Sequence, residues 1–205
     1  MEKNKNSSTI VIFAKVPGTG TAKSRIAATH GSEKAAEIYD QLLAVTAEIV
    51  NGLPYHVAFT DNNNCNVLGS IFTDALSFFP QHGNTLGDRL YNAFMHLYNE
   101  GYQYICAIGT DCPALTKIDL ENSLAILENG SDTVIGPAKD GGYYLVGCNK
   151  KGTEIFSAKN WSSPDLLEET MEIINSKSLT TQLLKPLSDI DYMEDYLSWK
   201  KSLDK

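Results

Sequence analysis

Short apolar runs alternate with amphipathic stretches along the whole chain, and this alternation narrows its possible folds more than any other property. The segments "TIVIFA", "YHVAFT", "YICAIG" and "DTVIGPA" read as strands. Three of them are nearly continuous in apolar or small residues, as expected of strands buried on both faces of a parallel sheet. Between them, Ile38, Leu42, Val45 and Ile49 recur at helical spacing, as do Leu86, Leu90, Phe94 and Leu97, and then Leu120, Leu124 and Leu127 ahead of Gly130. These are crossover helices. Strand and helix in turn imply a mostly parallel sheet with helices on both faces and right-handed connections: an α/β fold, a three-layer α/β/α domain. "GGYYLVGC" breaks the rhythm. It follows the preceding strand too closely for a helical crossover, so an antiparallel strand or a bend is expected there. Ser163 and Pro164 read as the N-cap and first-turn residue of a helix carrying Leu167, Met171 and Ile174. "LSFFPQ" and "SLTTQLLKPL" read as further strands, and "DYMEDYLSWKKSL" as a terminal helix.

A chain of 205 residues with 42% hydrophobic content can bury a full core without disulfide or metal staples. No repeat, low-complexity linker or composition break divides it. The expectation is a flexible tail over residues 1–8 and a single domain over 9–205. A net charge of −8 disfavours a nonspecific nucleic-acid binder, which draws affinity from a basic surface. Cys65, Cys106, Cys112 and Cys148 form no C-x-x-C pair, and two of them lie in strand-like runs, where a thiol behaves as a small hydrophobe. The polar start "MEKNKNSS" precedes only about seven apolar residues, too few for a signal segment or a membrane span. A reduced, cytoplasmic protein is expected, with no membrane partner. His30, His56, His82 and His96 lack ligand spacing and read as loop or surface residues.

Ligands of open α/β sheets bind beyond the carboxyl ends of the strands, so the residues that matter are those directly after each apolar run. The first strand ends in "KVPGTGTAKSRI", which combines Gly18 and Gly20 with Lys23 and Arg25. Glycines let backbone N–H groups approach phosphate oxygens, and the two cations neutralise them. The spacing is not that of a Walker loop. "YICAIG" leads to Asp111, "DTVIGPA" to Lys139 and Asp140, and the late strand to Asp189 and Asp191. Carboxylates would repel a nucleotide di- or triphosphate unless a divalent cation lay between them. Magnesium or manganese uses one or two protein carboxylates with phosphate oxygens and waters, and Asp111 with Asp189 or Asp191 suits that need. Each element also has a plain structural reading. The opening loop serves as an ordinary turn, Asp111 as a helix cap (although Thr116 with Asp119 is better placed), Asp140 as a hairpin-turn residue, and Asp189 and Asp191 as acids before a helix N-terminus. What weighs against the plain readings is that all these candidates fall at one edge of the sheet.

The pieces "FAKVPGTGTAKSRI", "NTLGDRLYNAF", "IGTDCPAL", "VIGPAKDGGYYLVG" and "DIDYMEDY", in this order, resemble DUF2064, a bacterial family of glycosyltransferase type. It is related to 2-phospho-lactate guanylyltransferases and molybdenum cofactor nucleotidyltransferases. The family's first motif is similar to P-x-P-G-x-x-K-T-R-L. Pro17, Gly20, Lys23 and Arg25 match it, whereas Thr19, Ser24 and Ile26 depart from it. The resemblance covers nearly the whole chain and implies the GT-A, nucleotide-diphospho-sugar transferase fold. It implies a transferase in which Lys15, Gly18, Gly20, Lys23 and Arg25 hold the phosphates and Gly87 and Arg89 contact the base or ribose. Asp111 with Asp189 or Asp191 would hold Mg2+ or Mn2+, and Asp111, Asp140 and Tyr143 would serve the chemistry, the last two facing the acceptor. Glycosyl transfer from a nucleotide sugar is the first reading. Nucleotidyl transfer from an NTP to a phosphorylated acceptor is the second, and a noncatalytic nucleotide sensor is the third. Asp111→Asn is expected to leave stability unchanged or raised, through relief of repulsion among carboxylates.

Overall fold

The computed structural model describes residues 7–18, 20, 22–60, 65–158, 161 and 163–203. In chain order the elements are β1 (Ser8–Lys15), α1 (Ser24–His30), α2 (Ser32–Val50), β2 (Tyr55–Thr60), α3 (Asn66–Ile71), β3 (Phe78–Pro80) and α4 (Leu86–Asn99). They continue with β4 (Tyr104–Ile108), α5 (Lys117–Glu128), β5 (Thr133–Pro137), β6 (Tyr143–Cys148), a 3-10 segment (Lys151–Ser157), α6 (Leu166–Ser176), β7 (Thr181–Leu183) and α7 (Met193–Leu203). The seven strands form one sheet in the order β3-β2-β1-β4-β6-β5-β7. All pairings are parallel except those of β6, which runs antiparallel to both β4 and β5. The sheet is therefore the mostly parallel α/β sheet that the alternating pattern requires, and "GGYYLVGC" is its antiparallel strand.

Strand alternation sends Ile10, Ile12 and Ala14 of β1 to one face, where they pack with Leu43 of α2, Leu68 of α3 and Leu120 and Leu124 of α5. Val11 and Phe13 go to the other, against Leu90, Phe94 and Leu97 of α4, Phe156 of the 3-10 segment and Ile174 of α6. A third cluster, from Ile26 of α1, Ile38 and Leu42 of α2, and Ile190 and Tyr196, ties α7 to the opening of the chain. Helices cover both faces, so the central strands are buried on both sides, whereas β3 is half-buried and β7 largely exposed.

Several expectations change. Buried Ser8 opens β1 inside the span expected as a tail, and residues 1–6 of that span lie outside the described residues. Helices α1 and α3 were not visible in the pattern: each is short and buries one side chain, Ile26 or Leu68, too few to make a period. Helix α6 starts at Leu166 rather than at Ser163, because the Ser163 hydroxyl accepts the Asp165 N–H and its carbonyl accepts the Leu166 N–H, forming a turn. His56 is not a surface residue. It is buried in β2 with its Nδ1 2.7 Å from the Ser77 hydroxyl and its ring edge-on to Tyr102, and burial lowers its pKa. The four cysteines are free, with Cys106 and Cys148 buried in β4 and β6. Among the described residues, no helix is long and apolar enough to cross a membrane.

Asp132, which did not stand out in the sequence, joins three segments at the end of the sheet opposite the candidate residues. Its carboxylate accepts from Lys151 Nζ at 2.8 Å, Thr180 N–H at 2.9 Å, Asn149 and the Thr180 hydroxyl. Burial would raise its pKa, but these donors outweigh burial and hold it at about 2. A carboxyl depressed in the folded state contributes stability that is present above its unfolded value, near 3.9, and is lost as pH falls through the folded value. Stability measured by urea denaturation should therefore drop between about pH 4 and pH 2. In Asp132→Asn that segment of the profile should flatten; an unchanged slope would exclude Asp132 as its source.

Candidate functional site

From β1 the sheet grows outward through β2 and β3, and the chain then returns to add β4 on the other side of β1. The loops leaving β1 and β4 diverge at this switch point and leave a crevice between them. A cleft of about 90 Å³ lies there, lined by Phe13, Lys15, Ala22, Lys23, Tyr39, Gly109, Thr110 and Asp111. A larger depression of about 420 Å³ sits beside His30, Gly31 and Lys34, where α1 meets α2, and gathers none of the strand-end residues.

Local structure explains how each lining group is held. The ladder between β1 and β4 stops at Ile12 and Ile108, whereas β1 continues beside β2 as far as Lys15 and Thr60. Lys15 thus extends past its β4 neighbour. The Tyr39 hydroxyl, from α2, accepts the Lys15 N–H at 2.8 Å and donates to the Lys15 carbonyl at 3.0 Å, and it also bonds Thr110. Burial pushes the Tyr39 phenol up to about 12, so it remains a neutral brace across the crevice. In the opening loop Gly18 and Gly20 have φ of +83° and +72°, and a Cβ at either would meet nothing within 4 Å. Glycine is needed there for its backbone conformation and not for lack of room. Thr19, one of the three departures from the family motif, lies outside the described residues.

Lys23 precedes α1 in a left-handed conformation, φ 53° and ψ 43°. Its side chain turns inward and is only 3% exposed, with Nζ 2.6 Å from Asp111 Oδ1 and donating to the Ile190 carbonyl at 2.5 Å. Arg25 is more exposed; it pairs with Asp191 and lies over the Tyr192 ring. The late loop is stitched to both neighbours: Lys139 N–H bonds the Leu187 carbonyl, and Ile190 N–H bonds the Asp111 carbonyl at 2.8 Å. The opening loop, the β4 loop and the late loop therefore meet at Lys23 and Asp111.

Asp189 is the electrostatically unusual member of the group. Its Oδ1 is buried with no hydrogen-bond partner. Burial first, and then the carboxylates of Asp111 and Asp140, push its pKa up to about 7 against the opposing effect of Lys23. Asp191, by contrast, is already satisfied by Arg25. Asp111 and Asp189, the latter hydrogen-bonded to the Cys112 thiol but with its Oδ1 unpartnered, together form a pair of hard oxygen donors, and such a donor set suits a magnesium or manganese ion completed by phosphates and water. Among the described residues, no group of three or more His, Cys, Asp or Glu side chains is arranged to hold a metal, so ligands from a substrate would be needed.

Asp140 is exposed in the tight turn between β5 and β6, where its Oδ1 accepts the Gly142 N–H at 3.0 Å, so its turn role is real. Tyr143 starts β6 with its ring edge-on to Trp161 and its hydroxyl 3.4 Å from that of Thr170. Gly87 lies under the Trp161 indole, which a Cβ would approach to 2.2 Å. Arg89 donates to the Gly83 carbonyl. Thr116 and Asp119 form a complete capping box on α5, so Asp111 is not that helix's cap. The roles of Tyr39 and Trp161 are not legible in the sequence. Tyr39 sits at a core position of α2 and carries no local sign of its polar task; the indole against Gly87 was signalled only by glycine in the first turn of a helix.

The model of DUF2064, described as an uncharacterized protein conserved in bacteria, matches residues 43–163, more than half of the chain. The chain belongs to this family. As a DUF2064 member it carries Asp111, Asp140 and Tyr143 within the matched span, whereas Lys23 and Asp189 lie outside it. Its fold is similar to that of a candidate nucleotide-diphospho-sugar transferase from Desulfovibrio desulfuricans, with TM-score 0.84 and 27% identity over 92% of this chain and 84% of that one. A 4-diphosphocytidyl-2C-methyl-D-erythritol synthase from Anaerococcus prevotii shares the fold at TM-score 0.66 and 11% identity, over 98% and 99% of the two chains. The Mycobacterium tuberculosis protein Rv0371c, in a complex with manganese, does so at TM-score 0.59 and 11% identity, over 95% and 98%. No curated protein matches the sequence significantly.

Proposed function

We propose that this DUF2064 member is a divalent-metal-dependent transferase that uses a nucleotide sugar. The observation that carries the reading is the buried Asp189 Oδ1, which has no hydrogen-bond partner and is electrostatically coupled to Asp111 and Lys23, the ion pair that lines the switch-point crevice. Gly18, Gly20, Lys23 and Arg25 bind and orient the donor's diphosphate, and Lys15 borders the same cleft. Gly87 and Arg89, in the first turn of α4, are assigned to the base or ribose by the family resemblance alone. Asp111 and Asp189 hold Mg2+ or Mn2+, which when bound neutralises charge on the diphosphate. The acceptor oxygen bonds to the anomeric carbon as the bond from that carbon to the diphosphate oxygen breaks. The nucleoside diphosphate leaves with the electron pair, and the hydroxyl proton passes to Asp140. Tyr143, braced by Thr170, shapes the acceptor side. A nucleotide donor and free thiols suit a cytoplasmic setting.

Glycosyl transfer is favoured by the likeness to the Desulfovibrio protein. The cytidylyl-type neighbour keeps open the second reaction, attack of an acceptor phosphate on the α-phosphate of an NTP. The products separate the two. Incubation with nucleotide sugars and Mg2+ or Mn2+ should release nucleoside diphosphate, and incubation with NTPs and phosphorylated acceptors should release no pyrophosphate. Pyrophosphate release would establish nucleotidyl transfer instead, and binding without either product would leave a sensor.

A further inference from the structure

We propose that Lys23 is the resident counter-cation of Asp111 and gives up that place to a divalent cation when a nucleotide arrives, so that metal and nucleotide enter together. The inference rests on the reading of this crevice as a metal–nucleotide site. A surface lysine reaching for phosphate would keep its ammonium in water. Lys23 instead buries it, with one carboxylate oxygen and one carbonyl oxygen as partners, in a protein that has other exposed lysines to offer. An ammonium bonded to Asp111 Oδ1 and a dication on the same carboxylate repel each other, so the ammonium competes with any metal that comes alone.

A diphosphate changes the balance, because it supplies acceptors for the ammonium at the moment the metal takes the carboxylate. The backbone is arranged for such an exchange. Lys23 occupies the left-handed region, which is disfavoured for a residue with a side chain, and the contacts of its ammonium help to hold it there. Gly18 and Gly20, both with open space around them, lie just before it and can absorb the change in direction. Arg25 on Asp191 repeats the arrangement at the exposed end of the same loop. The substrate-binding cations of the opening loop in this way neutralise Asp111 and Asp191.

The test is titration of Mn2+ alone, with no nucleotide, followed by electron paramagnetic resonance. Lys23→Met keeps the length of the stem without the charge, and Lys23→Gln also keeps a donor for the Ile190 carbonyl. Both should bind Mn2+ roughly ten- to a hundredfold more tightly than wild type, the equivalent of one charge-assisted hydrogen bond. Lys34→Met, which removes a positive charge from the surface of α2, should bind it as wild type does. Mn2+ affinity in the Lys23 variants that is unchanged or weaker would overturn the exchange while leaving a metal–nucleotide site intact. Adding Asp111→Asn to Lys23→Gln should abolish the gain. If the gain survives, the metal does not sit on Asp111, and the exchange falls together with the site reading.

Discussion

The substitution Asp111→Asn is expected to lower turnover by about a hundred- to a thousandfold, the scale on which enzymes depend on a preorganised electrostatic group. It should also destabilise the fold by about 1 to 2 kcal/mol. The first effect follows from the proposed function. The amide keeps one oxygen but loses the charge that balances a dication beside a diphosphate. The second effect reverses what the sequence alone indicates. Counting the carboxylates near Asp111 points to relief of repulsion and a stability that holds or rises. The structure supplies the missing partner: the Lys23 ammonium, 3% exposed, with Asp111 Oδ1 at 2.6 Å. The amide oxygen would still accept the ammonium's hydrogen bond, but a buried cation would be left without its counter-charge, which costs more than the repulsion returns. Asp111 is 46% exposed on its side chain, so water softens the loss and keeps it modest. Denaturant unfolding measures the stability term, and Mn2+ titration with nucleotide present measures the metal term. Equal Mn2+ affinity in wild type and variant would remove Asp111 from the site.

Gly141→Ala should be the most damaging single methyl added to the "DGGYY" segment, costing about 3 kcal/mol or more. Two causes add. Gly141 has φ +93°, a conformation that alanine adopts only under strain, and its Cβ would stand 2.0 Å from the Pro164 carbonyl oxygen and 2.6 Å from the Pro164 carbonyl carbon. Backbone atoms cannot swing aside as a side chain does. The turn would have to move away from the loop before α6, losing the Leu167 N–H bond to the Gly141 carbonyl at 3.0 Å and loosening Tyr143 from Thr170. Gly130→Ala is the control, because Gly130 has a similar φ of +102° and nothing within 4 Å of its Cβ position. For a chain of this length the melting temperature of Gly141→Ala should fall by roughly 6 to 12 °C, and that of Gly130→Ala by much less. Equal melting temperatures for the two variants would mean that the turn relaxes around the added methyl.

The residues after the strands were legible as a set because strand ends can be read from where apolar runs stop. Their individual roles were less so. Lys23 and Arg25 look equivalent in the sequence, two cations separated by one serine, yet one faces inward to Asp111 and the other outward to Asp191. Asp189 and Asp191 look equally interchangeable until burial leaves an oxygen of Asp189 without a partner and Arg25 satisfies Asp191. Which member of such a pair is desolvated depends on the packing of Ile190, which lies between them in the α1–α2–α7 cluster.

The sequence by itself determined the kind and order of the main elements, the antiparallel turn-back at "GGYYLVGC" and the edge at which polar residues gather. These features are local: periods of two and of 3.6 residues, and breaks in them, are set by backbone geometry within a few positions. Only the tertiary structure decided that β1 lies between β2 and β4, that the crevice opens there, and that Tyr39 and Lys23 brace it from within. Lateral strand order and the burial of a charge depend on contacts between residues distant along the chain. Their energies come from solvent excluded when the layers close, which no local pattern records.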